Sequence, residues 1–384
     1  MLGALNRGPN EPLIGRPGSR AELGTPALVL DLDVLDANIA SLAAHAKAHG
    51  YALRPVAKVH KSVDIARRQI AAGGIGVCCA TLAECEAMAD AGIPGVLLFT
   101  SVVTAPKLAR LAALNARADG LIVAADEPAN VAQLDEAARR SGRPLQVLVD
   151  VEVGGRRTGI ADESRAVALA RQIDAAAHLV YTGVQGYVGD HQNTADYDLR
   201  RARSHELLQP LVWIVERLRA EGLAPRIVSG GGTGTHDFDH ELGVLTELQP
   251  GTYALMDVNY RDAVLRPGEP HPFGAALTVR TTVISAAQPG LAITDAGVKE
   301  LDAIFGIDSP AILSGAPEGA TYSLVGDDMG RIEFARAGEG LAVGDVVEVM
   351  PPHCYQTLVL YSHFHVVQGD RLVDIWPVCA RTGW

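Results

Sequence analysis

The chain has 384 residues, 48% of them apolar and 20% charged, with 40 glycines spread along it at no fixed period. At a soft ~150 residues per domain, that length makes two or three compact units, or one barrel with a smaller companion, and excludes a peptide, a collagen-like fibre and a disordered chain. Lys and Arg number 33 against 45 Asp and Glu, a balance of −12 without a block of like charge, which argues against a nucleic-acid or anionic-membrane surface.

The first 26 residues, MLGALNRGPNEPLIGRPGSRAELGTP, hold Pro and Gly where a signal peptide needs an apolar stretch, and no window reaches ~18 uninterrupted apolar residues. This segment, 1–26, is too short to fold alone and is expected to pack on the C-terminal domain. The five cysteines (Cys78, Cys79, Cys85, Cys354 and Cys379) are odd in number and lack framework spacing. A reducing, cytoplasmic setting is the simpler expectation.

From Ala27 to Tyr260 short β-rich runs alternate with longer helical patterns, the signature of repeated βα units around a parallel sheet. Eight strands are predicted: ALVLDL from Ala27, LRPVAK from Leu53, IGVCCA from Ile75, GVLLF from Gly95, GLIVA from Gly120, LQVLVDV from Leu145, GVQGYV from Gly183 and RIVSG from Arg226. Between them lie amphipathic stretches over Leu35–His49, Leu82–Ala91, Ala105–Leu114, Pro128–Ser141, Asp162–Ala176 and Tyr197–Glu221. In the first of these, Leu35, Ile39, Leu42 and Ala46 recur at spacings of three and four. The pattern predicts an α/β fold, a (β/α)8 TIM-like barrel over 27–260, with a doubly wound open sheet as the alternative. Over 261–384 long helices vanish and runs such as LTVRTTVIS, LAITDAG, AILSG, DVVEVM, TLVLYSHFHVV and RLVDIW predict an all-β domain.

Lys58 closes the second predicted strand and would project from the C-terminal mouth of the barrel, where barrel enzymes place their chemistry. A lysine there is either an ordinary strand-end cation or an amine of depressed pKa suited to covalent catalysis. What weighs on the second side is Ser229-Gly230-Gly231-Gly232-Thr233-Gly234-Thr235, directly after the eighth strand. Consecutive glycines let backbone N–H groups approach an anion, yet the run fits neither the G-x-G-x-x-G nor the P-loop fingerprint. A phosphate site facing a strand-end lysine suggests pyridoxal phosphate.

Beyond these two features, the chain resembles the fold-type III pyridoxal-phosphate enzymes that group D-threonine aldolase, 3-hydroxy-D-aspartate aldolase and D-serine dehydratase, with an N-terminal barrel shared with alanine racemase. The resemblance rests on TPALVLDLDVLDANI, RPVAKVHKS, GVCCATLAECEAM, the RRTGI turn, GVQGYVG, SGGGTGT, ELQPGTYALMD, DAGVK and the closing HC…WPVCARTG. It implies that Lys58 is the Schiff-base lysine. It implies that Ser229, Gly230, Gly231, Gly232 and Thr233 hold the phosphate with help from the Gly251–Tyr253 loop, and that Gln185 and Tyr187 line the cofactor cavity. Arg157 would face the cofactor's phenolic oxygen. His60 stays among the candidate catalytic residues, although for His60 and Lys61 a capping or supporting role is the favoured reading.

One corner departs from the family's pattern. The metal-ligand pair, a His followed two residues later by Asp or Cys, reads His353 and Tyr355 here, and the neighbouring positions carry Met329 and Asn193. On a strand His353 and Tyr355 would share a face, with Cys354 pointing away. A neutral phenol is a poor ligand, so divalent metal is expected to be weak or absent, with His353 the one candidate ligand and His191, His363 and His365 the replacements. The resemblance implies a homodimeric lyase acting on D-configured or α-substituted β-hydroxy amino acids. A dehydratase and a racemase or epimerase are the alternatives, and a non-catalytic cofactor carrier lies outside the enzymes.

Overall fold

The computed structural model describes residues 7–302 and 309–381. The first six residues of the expected N-terminal segment, and Thr382 and Gly383 of the closing run, lie outside the described residues. The chain divides into two compact units. One takes the chain up to Asn38 with Thr252–Asp262 and Phe273–Cys379, and the other takes Ile39–Gly251, Ala263–Pro272 and the chain from Ala380.

β1 (Ala27–Asp31) leads into α1 (Leu32–His49), which buries Leu35, Ile39, Leu42 and Ala46 at the expected spacing. The second unit then lays down eight parallel strands. They are β2 (Ala52–Leu53), β3 (Cys78–Cys79), β4 (Leu97–Leu98), β5 (Ile122–Ala125), β6 (Leu145–Asp150), β7 (Leu179–Gly186), β8 (Ile227–Gly230) and β9 (Glu247–Leu248). The intervening helices are α2 (Val63–Ala71), α3 (Leu82–Asp90), α4 (Ala105–Arg117), α5 (Pro128–Ser141), α6 (Glu163–Ala175) and α7 (Tyr197–Ala220). Their starts follow from local chemistry. Thr81 and Glu84 form a reciprocal capping box on α3, while the Asp162 and Asp196 side chains accept the amides of Arg165 and Leu199 at the heads of α6 and α7.

The strand order is β2-β9-β8-β7-β6-β5-β4-β3. Its two edges meet, because Val56 bridges Cys78 in parallel, Ile75 N donates to Leu53 O and Cys78 N donates to Pro55 O, both at 2.8 Å. The sheet is thereby closed into a TIM-like barrel, and Val123, Val147, Val149, Val184 and Val228 lie in its core. Strands covered on both faces read as unbroken apolar runs, which is why they were visible in sequence.

Strand membership differs from the prediction at one place. The ALVLDL run is β1, yet it pairs outside the barrel, antiparallel to β10 (Leu277–Ser285) and parallel to β16 (His363–Gln368). Its vacant place is taken by β9, two residues that carry a glutamate and show no apolar run. A fully buried strand looks the same in sequence whichever sheet covers it.

In the first unit the remaining elements, after α8 (Val258–Arg261) and β10, are β11 (Leu291–Thr294), β12 (Ala311–Ser314), β13 (Thr321–Leu324), β14 (Gly330–Glu333), β15 (Val346–Met350), α9 (Cys354–Leu358), β16 and β17 (Arg371–Pro377). β13, β14, β11, β10, β1, β16 and β17 form one path, with β15 on β10 and β12 on β15. Residues ahead of β1 lie on this unit: Gly15 N and Arg20 N donate to Leu372 O and Asp370 O, and Leu13 and Ile14 pack on Leu23, Val367, Leu372 and Ile375. The strand predicted from Thr357 starts only at His363, since its first residues belong to α9. Among the described residues no helix is long and apolar enough to cross a membrane.

β2 and β9 share only two ladder positions, Ala52 with Glu247 and Leu53 with Leu248. A buried fork reinforces them: Arg54 Nε and Nη2 each donate at 2.9 Å to the two oxygens of Glu247, and Arg54 Nη1 donates to Gly95 O. Removing one member leaves an uncompensated buried charge, so Arg54→Leu is expected to cost about 3–5 kcal/mol in urea unfolding, with Arg54→Leu/Glu247→Leu recovering part of it. A single variant as stable as the parent would show that the fork contributes nothing.

Candidate active site

The C-terminal ends of the barrel strands gather the chemistry-bearing residues of the second unit. Lys58 sits on a short 3-10 turn, Ala57–Val59, just after the extended Arg54–Val56 stretch rather than on a regular strand. It is half-buried, and its Nζ lies 5.7 Å from the centre of the Phe99 ring at the end of β4. The Phe99 carbonyl accepts Gln185 Nε2 at 3.5 Å from β7, and the same amide donates at 3.0 Å to Asp150 Oδ1 at the end of β6. Gln185 Oε1 is buried without a hydrogen-bond partner, an acceptor kept ready at the mouth.

Arg157 and Tyr187 meet beside this group, the guanidinium 5.7 Å from the ring centre. They line one cleft with Asp150, Glu152, Thr158 and Asp190. Asp150 accepts the Thr158 hydroxyl at 2.7 Å, and burial pushes its carboxyl above the ordinary value. Burial also raises the Tyr187 phenol to about 12, against the pull of Arg157, so it stays protonated at neutral pH.

The glycine run is shaped from inside. Ser229 Oγ donates to Glu247 at 2.6 Å and accepts from Gln249 Nε2 at 2.8 Å, so this hydroxyl is tied to the Arg54 fork. Gly232 N donates to Thr235 Oγ1 at 3.0 Å, Thr235 Oγ1 donates to Asp239 Oδ2 at 2.9 Å, and Gly234 N donates to Gln192 Oε1 at 2.9 Å. Gly231 is left-handed (φ 65), and a Cβ there would run into the Asp239 carboxylate and Leu248. A Cβ on Gly234 would strike the Gln192 carbonyl. Gly251 N donates to Thr233 Oγ1 at 3.3 Å, and Gly251 lies against Val56 and Val59 on either side of Lys58. This glycine cradle, the ready amide oxygen of Gln185 and the neighbouring amine fit a phosphate-bearing carbonyl cofactor of the pyridoxal type.

Asp239 faces the cradle fully buried, its Oδ1 without a hydrogen-bond partner, and burial pushes its pKa to about 7. A neutral carboxyl at that place does not repel an anion on the loop. The sequence reading missed this residue, as it missed Asp150 and Glu247. A carboxylate ending an apolar barrel strand, as Asp150 does, is the signal that marks such positions.

His60 takes the supporting role favoured for it, and other candidates occupy different surroundings from those expected. His60 was named among the catalytic candidates, yet both ring nitrogens are committed: Nδ1 accepts Ser62 N at 3.1 Å and Nε2 meets Gln69 Oε1 at 3.2 Å. The ring is fully buried and held neutral, its pKa pushed by burial to about 4, so it braces the start of α2. Tyr253 lies in the other unit with its ring buried edge-on against Phe273. His353 and Tyr355, also in that unit, stand at the head of α9 rather than on a strand, with ring centres 3.7 Å apart at 76°.

Cys354 turns inward, its amide donating to Asp257 Oδ2 at 3.0 Å, and burial holds the thiol well above its usual pKa. His353 and Tyr355 thus present an imidazole and a phenol side by side at the head of α9. His365 is taken up structurally, meeting Asn10 Nδ2 at 2.9 Å and Leu28 O at 3.2 Å.

A closed barrel carrying a lysine and a glycine cradle at its mouth, in a chain whose other unit is mostly β, defines the alanine racemase-type class of pyridoxal-phosphate enzymes. The chain matches the family described as alanine racemase, N-terminal domain, over residues 30–258, and a serine dehydratase domain over 276–367. It belongs to the D-threonine aldolase and 3-hydroxy-D-aspartate aldolase family within that class. It is 36% identical to 3-hydroxy-D-aspartate aldolase of Paracoccus denitrificans (strain Pd 1222) over 95% of this chain and 94% of that one. The crystal structure of D-threonine aldolase from Filomicrobium marinum superposes with a TM-score of 0.89 at 36% identity, covering 94% of this chain and 96% of that one. D-threo-3-hydroxyaspartate dehydratase of Delftia sp. (strain HT23) is 28% identical over 92% and 97%.

Lys58→Ala is expected to abolish the visible absorbance of the lysine-bound cofactor. Lys61 is buried and donates to Glu84 and to Ala380 O at 3.0 Å, so Lys61→Met should lower stability by about 3–5 kcal/mol while the folded fraction keeps that absorbance. The reverse pattern would overturn the assignment.

Asp239 also makes stability depend on pH. Its carboxyl ionises near ~4 when unfolded and at about 7 when folded, so the folded chain holds an extra proton between those values. Stability is therefore intact below ~4 and eroded as pH rises to about 7. Asp239→Asn should match the parent's Tm near pH 4.5 and exceed it by a few degrees at pH 8; a constant difference across that range would refute this origin.

Proposed function

We propose that this chain is a pyridoxal-phosphate-dependent carbon–carbon lyase that cleaves or forms D-configured or α-substituted β-hydroxy amino acids. The observation that carries the reading is the likeness to an aldolase over 95% of the chain, combined with a lysine and a glycine cradle at one barrel mouth. The dehydratase relative is more distant, at 28% identity.

When bound, the cofactor supplies an electron sink for the electron pair of a bond broken at the substrate's Cα. Lys58 offers the amine that would hold it, beside the aromatic face of Phe99. Gly231, Gly232 and Thr233 would cradle its phosphate, with Ser229 fixing the loop's root through Glu247. Arg157, exposed over the Tyr187 ring, places a cation at the cleft, where it would draw in an anionic substrate or the cofactor's ring oxygen. Gln185 presents its free amide oxygen to a donor. In cleavage the β-hydroxyl gives up its proton, the Cα–Cβ bond breaks and Cα gains a proton. A cytoplasmic homodimer accompanies this proposal: the five cysteines are free thiols, and the dimer follows from the family resemblance.

The test is to incubate the loaded enzyme with D-threonine, D-phenylserine, 3-hydroxy-D-aspartate and D-serine and to identify the products. Glycine with an aldehyde or glyoxylate is expected. A keto acid with ammonia would make the chain a dehydratase, and a change of optical rotation alone would make it a racemase.

A further inference from the structure

A second group of ligand-type side chains lies in the barrel unit, beyond the glycine run. His45 comes from α1, and His236 and Asp237 directly follow Thr235. One ligand atom from each lies within 4.8 Å of the other two, the sole such group of three among the described residues. This feature owes nothing to the aldolase reading.

The hydrogen bonds fix which ring atoms are acceptors. His45 Nε2 faces the His236 carbonyl at 2.9 Å and must donate to it, which leaves the lone pair on Nδ1. His236 Nδ1 likewise faces the Thr233 carbonyl at 2.7 Å, so its lone pair is on Nε2. Tying the second nitrogen of each imidazole to a backbone carbonyl is how proteins orient histidine ligands. Burial lowers the pKa of both rings, that of His236 to about 3, so both are in the neutral form that binds metal.

A cation already sits there, and it fits poorly. Arg266 Nη2 donates to His45 Nδ1 at 3.1 Å, while Arg266 Nε lies 3.4 Å from Asp237 Oδ1, buried and without a hydrogen bond. The other oxygen of Asp237 accepts the Tyr197 hydroxyl at 2.9 Å, and Glu269 lies 3.8 Å from the guanidinium. A file of imidazoles also leads inward: His240 and His49, both exposed, are 4.3 Å apart at their ring centres, His49 and His45 are 4.5 Å apart, and His45 and His236 are 4.9 Å apart.

We propose that His45, His236 and Asp237 bind a zinc-class divalent ion that displaces the Arg266 guanidinium and clasps the end of the glycine loop to α1. Two imidazoles and one carboxylate suit zinc and cobalt. Tetrahedral bonds of ~2.1 Å set ligand atoms about 3.4 Å apart, a spacing the three side chains reach from separations of no more than 4.8 Å. On binding, Arg266 swings toward Glu269, 3.8 Å from its guanidinium.

The test is equilibrium dialysis of the chelator-treated holoenzyme against zinc chloride, with metal counted per chain and folding checked by circular dichroism. One tightly held equivalent is expected in the parent and in His353→Ala. Affinity should fall at least tenfold in His45→Gln and Asp237→Asn and rise severalfold in Arg266→Gln, where the competing cation is gone. Zinc should raise the Tm of the parent but not of His45→Gln. Undiminished binding in His45→Gln and Asp237→Asn, loss confined to His353→Ala, or no binding in both the parent and Arg266→Gln would each overturn the proposal. None of these readouts depends on the aldolase activity, so a failure here is separate from a failure of that reading.

Discussion

Two of the barrel's shortest strands, β2 and β9, lie side by side, and the fork between Arg54 and Glu247 reinforces their pairing. β2 and β9 contribute two residues each, too few to hold by ladder hydrogen bonds alone. The buried guanidinium and carboxylate meet in bidentate geometry, 3% and 1% exposed, where low dielectric strengthens each charge-assisted bond. Glu247 then accepts the Ser229 hydroxyl, and Ser229 accepts Gln249. The root of the glycine loop is therefore fixed by the same contact that reinforces the β2–β9 pairing.

From that root outward the loop is satisfied internally. Gln192 and Thr235 take the amides of Gly234 and Gly232, and Asp239 receives the Thr235 hydroxyl. A loop whose shape is settled before any anion arrives loses little conformational freedom on binding, which is the physical content of preorganisation. The arrangement requires a carboxyl beside an anion cradle. Burial resolves the conflict by keeping that carboxyl protonated up to about neutrality.

Three neighbouring residues show how local backbone geometry assigns roles. Lys58, His60 and Lys61 lie within four positions, and the sequence favours chemistry for the first and a supporting role for the other two. The 3-10 turn leaves Lys58 half-buried near the ring of Phe99, then folds His60 fully inside onto Ser62 and Gln69. Lys61, in a left-handed conformation (φ 46), is turned onto Glu84, the same residue that caps α3. His60 and Lys61 thus brace the helices beside Lys58.

The sequence by itself determined the layered architecture, because period-2 and period-3.6 apolar patterns record which faces are buried. Six of the barrel helices and most of the C-terminal strands fall within a few residues of the predicted ranges. The lysine and the glycine run were legible as well, since few structural needs place those residue types at strand ends. Tertiary structure alone decided which sheet received Ala27–Asp31, for a doubly buried strand carries no mark of its partner, and it alone recruited Glu247–Leu248, whose glutamate only makes sense opposite Arg54. It also turned the His353 segment into a helix and brought His45 onto His236 from 191 positions away. Such pairings depend on contacts between segments remote in the chain, which no local periodicity encodes.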